Sequence, residues 1–146
     1  MVLPGTLRNK IMTTTNQARN ITNDKNHAAM VAGYIEAMQF STVYNENGDY
    51  LEDYELSEQA HQAAVIACSR FLAVHGEDME TVQKHHNPDY TYNHAGHDLF
   101  LTREGHGTGF WDRDIGHYDD VFTKYCEEIN VCDPYVGDDN LIYMGE

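Results

Sequence analysis

An α+β domain, with about four helices and a small antiparallel sheet built from two hairpins, is the fold class this sequence predicts. Apolar residues recur at helical spacing over the first part of the chain. From Asp98 onward the period shortens to two beside glycine-rich turns. Strands and helices never alternate in the regular way that a parallel sheet requires.

Residues 1–26 carry repeated Thr and Asn without an apolar period, and read as a flexible N-terminal tail ahead of a single domain over 27–146. The first helix is expected from His27 to Tyr44, with Asn26 as its cap and Ala28, Val31, Ala32, Ile35 and Met38 on one face. The cluster Asn45-Glu46-Asn47-Gly48-Asp49 turns the chain. Ser57 caps a second helix, in which Ala60, Ala64, Ala67, Cys68, Phe71 and Leu72 share one face. Gly76 should stop that helix, and a short third one should span Asp78 to His85 before Asn87-Pro88. Asp98 to Thr102 alternates like a half-buried strand, and Thr108 to Asp112 reads as its hairpin partner. One of Phe110 and Trp111 should pack beneath that hairpin, and removal of Trp111 should be costly. A fourth helix fits Asp119 to Ile129, followed by a second hairpin from Val131 to Val136 and Leu141 to Met144.

At 146 residues with ten Tyr, five Phe and Trp111, the chain has the size and bulk for one packed core. It carries no run approaching the ~18 apolar residues of a membrane span, and no apolar stretch follows Arg8 and Lys10 as in a secretory signal. A cytoplasmic protein with no membrane partner is expected. Cys68, Cys126 and Cys132 form no C-x-x-C pair, which points to reduced, buried thiols rather than a disulfide framework or a zinc ribbon. Charge is the strongest compositional signal. Against 24 acidic residues stand 9 basic ones, for a net −15, and four of those nine lie in the first 25 residues. A body this acidic repels nucleic acid, so no direct nucleic-acid partner is expected, and it attracts basic surfaces.

The segment Ala95-Gly96-His97-Asp98-Leu99-Phe100-Leu101-Thr102-Arg103-Glu104-Gly105-His106-Gly107-Thr108-Gly109-Phe110-Trp111-Asp112-Arg113 resembles the central motif of a group of small tailed-phage proteins, roughly A-G-H-D-F-W-L-T-R-N-G-H-G-A-G-F-W-D-R. The ending Tyr135-Val136-Gly137-Asp138-Asp139-Asn140-Leu141-Ile142-Tyr143 and the helical stretch around Leu56 to Phe71 are similar to that group too. Glu104 stands where the group has Asn, and Leu99-Phe100 where it has Phe-Trp. The resemblance implies a phage or prophage origin and brings no activity with it.

Two sets of residues could carry function. His97, Asp98, Arg103, His106, Asp112 and Arg113 fall within one short segment, and a hairpin would fold its ends together. A His with a carboxylate can move protons, and Arg can hold an anion, so these six are the candidate catalytic or ligand-binding residues. The bland reading is a glycine-rich turn stapled by ion pairs. His94, His97, His106 and His117 with Asp98 and Asp112 offer metal ligands, yet their spacing fits no standard pattern and no metal is assigned. Gly105-His106-Gly107-Thr108-Gly109 lacks the Lys-Ser/Thr ending of a phosphate loop, and no cofactor is expected.

The second set is Glu46, Asp49, Glu52, Asp53, Glu55 and Glu58, six carboxylates interleaved with Tyr50 and Tyr54 and with no basic residue among them. A solvated acidic face is the ordinary account. Closely spaced negative charge also imitates duplex DNA. Together with the phage resemblance, this predicts an accessory protein that binds and inhibits a host protein in the infected cytoplasm. Its partner would be a nucleic-acid-binding enzyme, and its role that of a counter-defence inhibitor of anti-restriction or anti-CRISPR type. The alternative is a small enzyme or ligand-binding protein built on the segment 97–113, with or without a metal.

Overall fold

A computed structural model describes residues 6–43, 45–131 and 133–145, with side chains from Asp24 onward. Most side chains of the expected tail, and Cys132, lie outside the described residues. Four helices and a three-stranded mixed sheet are formed among the described residues, which is an α+β architecture. Helix α1 spans Thr6–Ser41, α2 Glu58–His85, α3 Tyr92–Arg103 and α4 Tyr118–Glu127. Strands β1 (Glu55–Leu56), β2 (Asp133–Val136) and β3 (Leu141–Gly145) make the sheet, and 3-10 turns occupy Leu51–Asp53 and Phe110–Asp112. No described helix is long and apolar enough to cross a membrane.

Helices α2 and α4 follow their expected apolar faces, whereas α1 begins at Thr6 rather than at His27 behind an Asn26 cap, and turns Met30, Val31, Tyr34, Ala37 and Met38 inward while Ala28 and Ala32 of the expected face are exposed. Met30, Tyr34, Ala37 and Met38 of α1 meet Ala60, Ala64, Cys68 and Phe71 of α2 and Phe122 and Cys126 of α4 in one core. The Ser57 hydroxyl accepts the Ala60 amide at 3.1 Å, which caps α2 as the sequence requires. Gly76 does not end that helix. His75 leaves the helical region (φ −120°, ψ 15°), and the chain then continues to His85, so one kinked helix replaces the two expected.

The larger correction concerns Asp98–Asp112. Asp98 to Thr102 is not a strand but the second half of α3, and Phe110–Asp112 is a 3-10 turn. No hairpin forms there. Helix α3 is buried almost continuously from Ala95 to Leu101, between α1 on one side and α4 on the other. A helix apolar on most sides has no single face, and its pattern over five residues looks like alternation. The start of α3 is well marked: Thr91 accepts the His94 amide at 3.1 Å, and the His94 ring nitrogen accepts the Thr91 amide at 3.2 Å.

The sheet holds one hairpin, not two. Strands β2 and β3 pair antiparallel, from Asp133 opposite Gly145 to Val136 opposite Ile142. The other edge of β3 takes β1 in parallel, Glu55 beside Leu141 and Leu56 beside Ile142. Gln59 extends this edge through its side-chain amide, which donates to the Met144 carbonyl at 2.8 Å and accepts the Met144 N–H at 2.9 Å.

Candidate functional site

The segment 97–113 begins on α3, and the close approach of α1 explains its first residues. A Cβ on Gly96 would lie 2.0 Å from the Met30 carbonyl oxygen, and one on Gly33 would lie 2.1 Å from that of Asn93. Two glycines facing each other's helices therefore let the backbones touch. Two residues on, the Asp98 carboxylate is fully buried. It accepts the Arg113 guanidinium through Nε at 2.8 Å and 3.0 Å and Nη2 at 2.9 Å, and the Tyr90 hydroxyl at 2.7 Å. The hydrogen bond to Asp98 raises the pKa of Arg113, while burial and the nearby carboxylate push Tyr90 well above its usual value. Asp98 and Arg113 are thus the two ends of one fastening, tying α3 to the loop that leads into α4.

The remaining four residues do not join them. His97 Nε2 lies 3.0 Å from Glu36 Oε1, and its ring packs against Phe40 with centroids 5.6 Å apart. That hydrogen bond lowers the pKa of Glu36. Arg103 donates through Nε to the Asn130 carbonyl at 2.6 Å and through Nη1 to the Tyr34 hydroxyl at 2.9 Å. His106 packs near Phe100, at 6.3 Å between centroids. Asp112 accepts the Thr108 hydroxyl at 2.8 Å and the Gly109 amide at 3.1 Å, and these bonds hold its pKa low. The His, carboxylate and Arg side chains of the segment do not converge as a set: they are held by separate partners in the fold. The His, Cys, Asp and Glu side chains of the described residues form no group of three that could hold a metal ion. His94 serves the cap of α3, and His117 packs on Tyr118.

No protein-family model matches this chain, and neither a curated protein nor a solved structure does. Function has to be read from the geometry.

The acidic set keeps its expected character. Glu46, Asp49, Glu52, Asp53, Glu55 and Glu58 are all exposed. They follow one another along the turn after α1, the first 3-10 turn, β1 and the first turn of α2. None pairs with a Lys, Arg or His among the described residues. Asp49 accepts the Asn45 side-chain amide at 2.9 Å, which shapes the turn without neutralising the charge. Val43 and Tyr50 form a bridge across the base of this turn, and both remain about half exposed, at 48% and 43%.

A feature the sequence did not disclose lies behind β3. A cavity of about 350 Å³ is bordered by Tyr34, residues of α2 from Gln59 to Arg70, Arg103, Tyr125 and Ile129 at the far end of α4, and Met144 and Gly145. Its members come from five elements, so no local motif could reveal it. Arg103 was the one candidate residue to belong to it.

Proposed function

We propose that this protein acts by binding a partner protein through the acidic face of residues 46–58, as a phage accessory protein that inhibits a basic, nucleic-acid-binding host enzyme. The observation that carries this reading is the exposure of all six carboxylates without a cationic partner among the described residues. Carboxylates already paired within the fold would have little attraction left for a partner's Lys and Arg. Unpaired charge repels itself and costs stability, and a complementary surface relieves that cost. The half-exposed Val43–Tyr50 pair beside these charges adds apolar and aromatic area of the kind that anchors interfaces. The phage context rests on the resemblance of residues 95–113 and 135–143, and a counter-defence role in the host cytoplasm follows from that context. The enzymatic alternative has no such support, because Asp98 and Arg113 occupy each other.

The test is kinetic. Host proteins retained on the immobilised chain are purified, and the association rate is measured at low and high salt. Replacing Glu52, Asp53 and Glu55 by Gln, Asn and Gln should slow association about tenfold or more at low salt and flatten the salt dependence. Equal rates for both forms at both salt concentrations would show that the acidic face is not the interface.

A further inference from the structure

We infer that the outer face of the sheet, where Tyr135 and Tyr143 lie among Glu55, Asp133 and Asp139, is a docking platform for an arginine-bearing segment of a partner protein. The inference shares only Glu55 with the reading of residues 46–58 and does not depend on it.

The first argument is which side chains the strands turn outward. Ile142 and Met144 of β3 are buried, and Leu56 of β1 and Val136 of β2 pack on the core with them. Alternation along each strand then puts Glu55, Asp133, Tyr135, Leu141, Tyr143 and Gly145 on the opposite face. Tyr135 and Tyr143 stand directly opposite each other, with ring planes 21° apart and centroids at 5.8 Å. Each ring reaches over a glycine. A Cβ on Gly137 would lie 2.7 Å from the Tyr143 ring, and one on Gly145 would lie 3.7 Å from the Tyr135 ring. The Tyr143 hydroxyl donates to Asp139 at 2.6 Å, so that ring is held in place before anything binds. Tyr135 is 51% exposed and offers its ring to solvent.

Charge supplies the second argument and names the occupant. The three strands and the turn over 137–140 contain Glu55, Asp133, Asp138 and Asp139 and no Lys, Arg or His. Hydrogen bonds from the Tyr143 hydroxyl and the Leu141 amide keep the Asp139 pKa low, so its charge persists in mild acid. Nucleic acid, whose bases also stack on aromatic sheet faces, meets repulsion here. A cation is drawn both by the carboxylates and by the π face of tyrosine. Guanidinium is planar, so it extends a stack of parallel rings while its N–H groups fork towards carboxylates. An ammonium is a point charge with no plane to stack.

The probe is the peptide acetyl-Gly-Arg-Gly-Arg-Gly-amide, with lysine and citrulline counterparts, titrated into the full chain at low salt and followed by NMR. The arginine peptide should bind about threefold tighter than the lysine peptide, and the neutral citrulline peptide should not bind. Its δ-methylene protons should move upfield in the ring current of the tyrosines. Tyr135→Ala should abolish the preference for arginine over lysine, and Tyr135→Phe, which keeps the ring, should retain it. Glu52→Gln with Asp53→Asn lies off the sheet and should leave the ratio of the two affinities unchanged, so failure of this platform and failure of the 46–58 face are read separately. Equal affinity for the arginine and lysine peptides, no upfield shift, an undiminished preference in Tyr135→Ala, or binding of oligothymidylate at the same rings overturns the inference.

Discussion

Asp98 accepts Arg113 and Tyr90 where solvent does not reach, and the consequence of removing it is large. Asp98→Ala leaves the guanidinium without its carboxylate and Tyr90 without an acceptor. Loss of one partner from a buried pair costs about 3–5 kcal/mol, and the one-third exposure of Arg113 places this case near 3. Trp111→Ala provides the contrast. The sequence suggested that Trp111 is a core anchor, but it is 44% exposed, and Phe110 is the fully buried aromatic, stacked on Phe71 at 5.8 Å. Trp111→Ala should cost about 1 kcal/mol or less. Urea unfolding of both variants checks this, and an order of costs reversed from this one would refute the assignment of Asp98 as a structural fastener. The residue types in the segment 97–113 were legible as chemistry. Their pairing was not, because a buried carboxylate clamped by Arg and one lining a site have the same signature in a string of letters.

Among the elements, what was legible depended on how many sides each one buries. Helices α2 and α4 show one apolar face each, and the sequence placed α4 and the start of α2 within a few residues, whereas α1 begins at Thr6, well before the expected His27, and α2 runs past Gly76 to His85. Helix α3 buries most of its surface, which erased the helical period and suggested a strand. Strand β1 is two residues long and exists only because β3 lies beside it, so no local preference could announce it. The contact of α1 with α3 yields a sharper expectation. A methyl group at Gly96 would press on the Met30 carbonyl, a backbone atom that cannot swing aside. Overpacking of this kind costs about 1–3 kcal/mol, which outweighs the gain in helix propensity of about 1 kcal/mol that Gly→Ala brings in an open helix. Gly96→Ala should therefore lower the thermal midpoint, and a rise would show that the two helices can part without penalty.

At the scale of the whole molecule, the core contains groups that must remain neutral. Burial pushes the Cys68 thiol from 9.0 up to about 12, and Cys126 reaches about 12 for the same reason. Tyr90 is raised as well. In the unfolded chain these groups ionise at their ordinary values, so the unfolded state releases protons first as pH rises. Their contribution to stability is complete below about pH 9 and is lost as pH climbs towards about 12. The urea midpoint should fall between about pH 9 and about pH 12, and Cys68→Ala should flatten that fall. A midpoint independent of pH over this range would contradict the burial of both thiols. The arrangement of the sheet has another consequence, for the chain as it is being made. Strand β3 is the partner of both β1 and β2, and it is synthesised after both. Until residues 141–145 have left the ribosome, β1 has no neighbour, β2 presents an open edge, and the wall of the cavity formed by Met144 and Gly145 is missing. A nascent chain paused before that point would hold its helices beside unpaired edges, and a chaperone that shields such edges would find its client there.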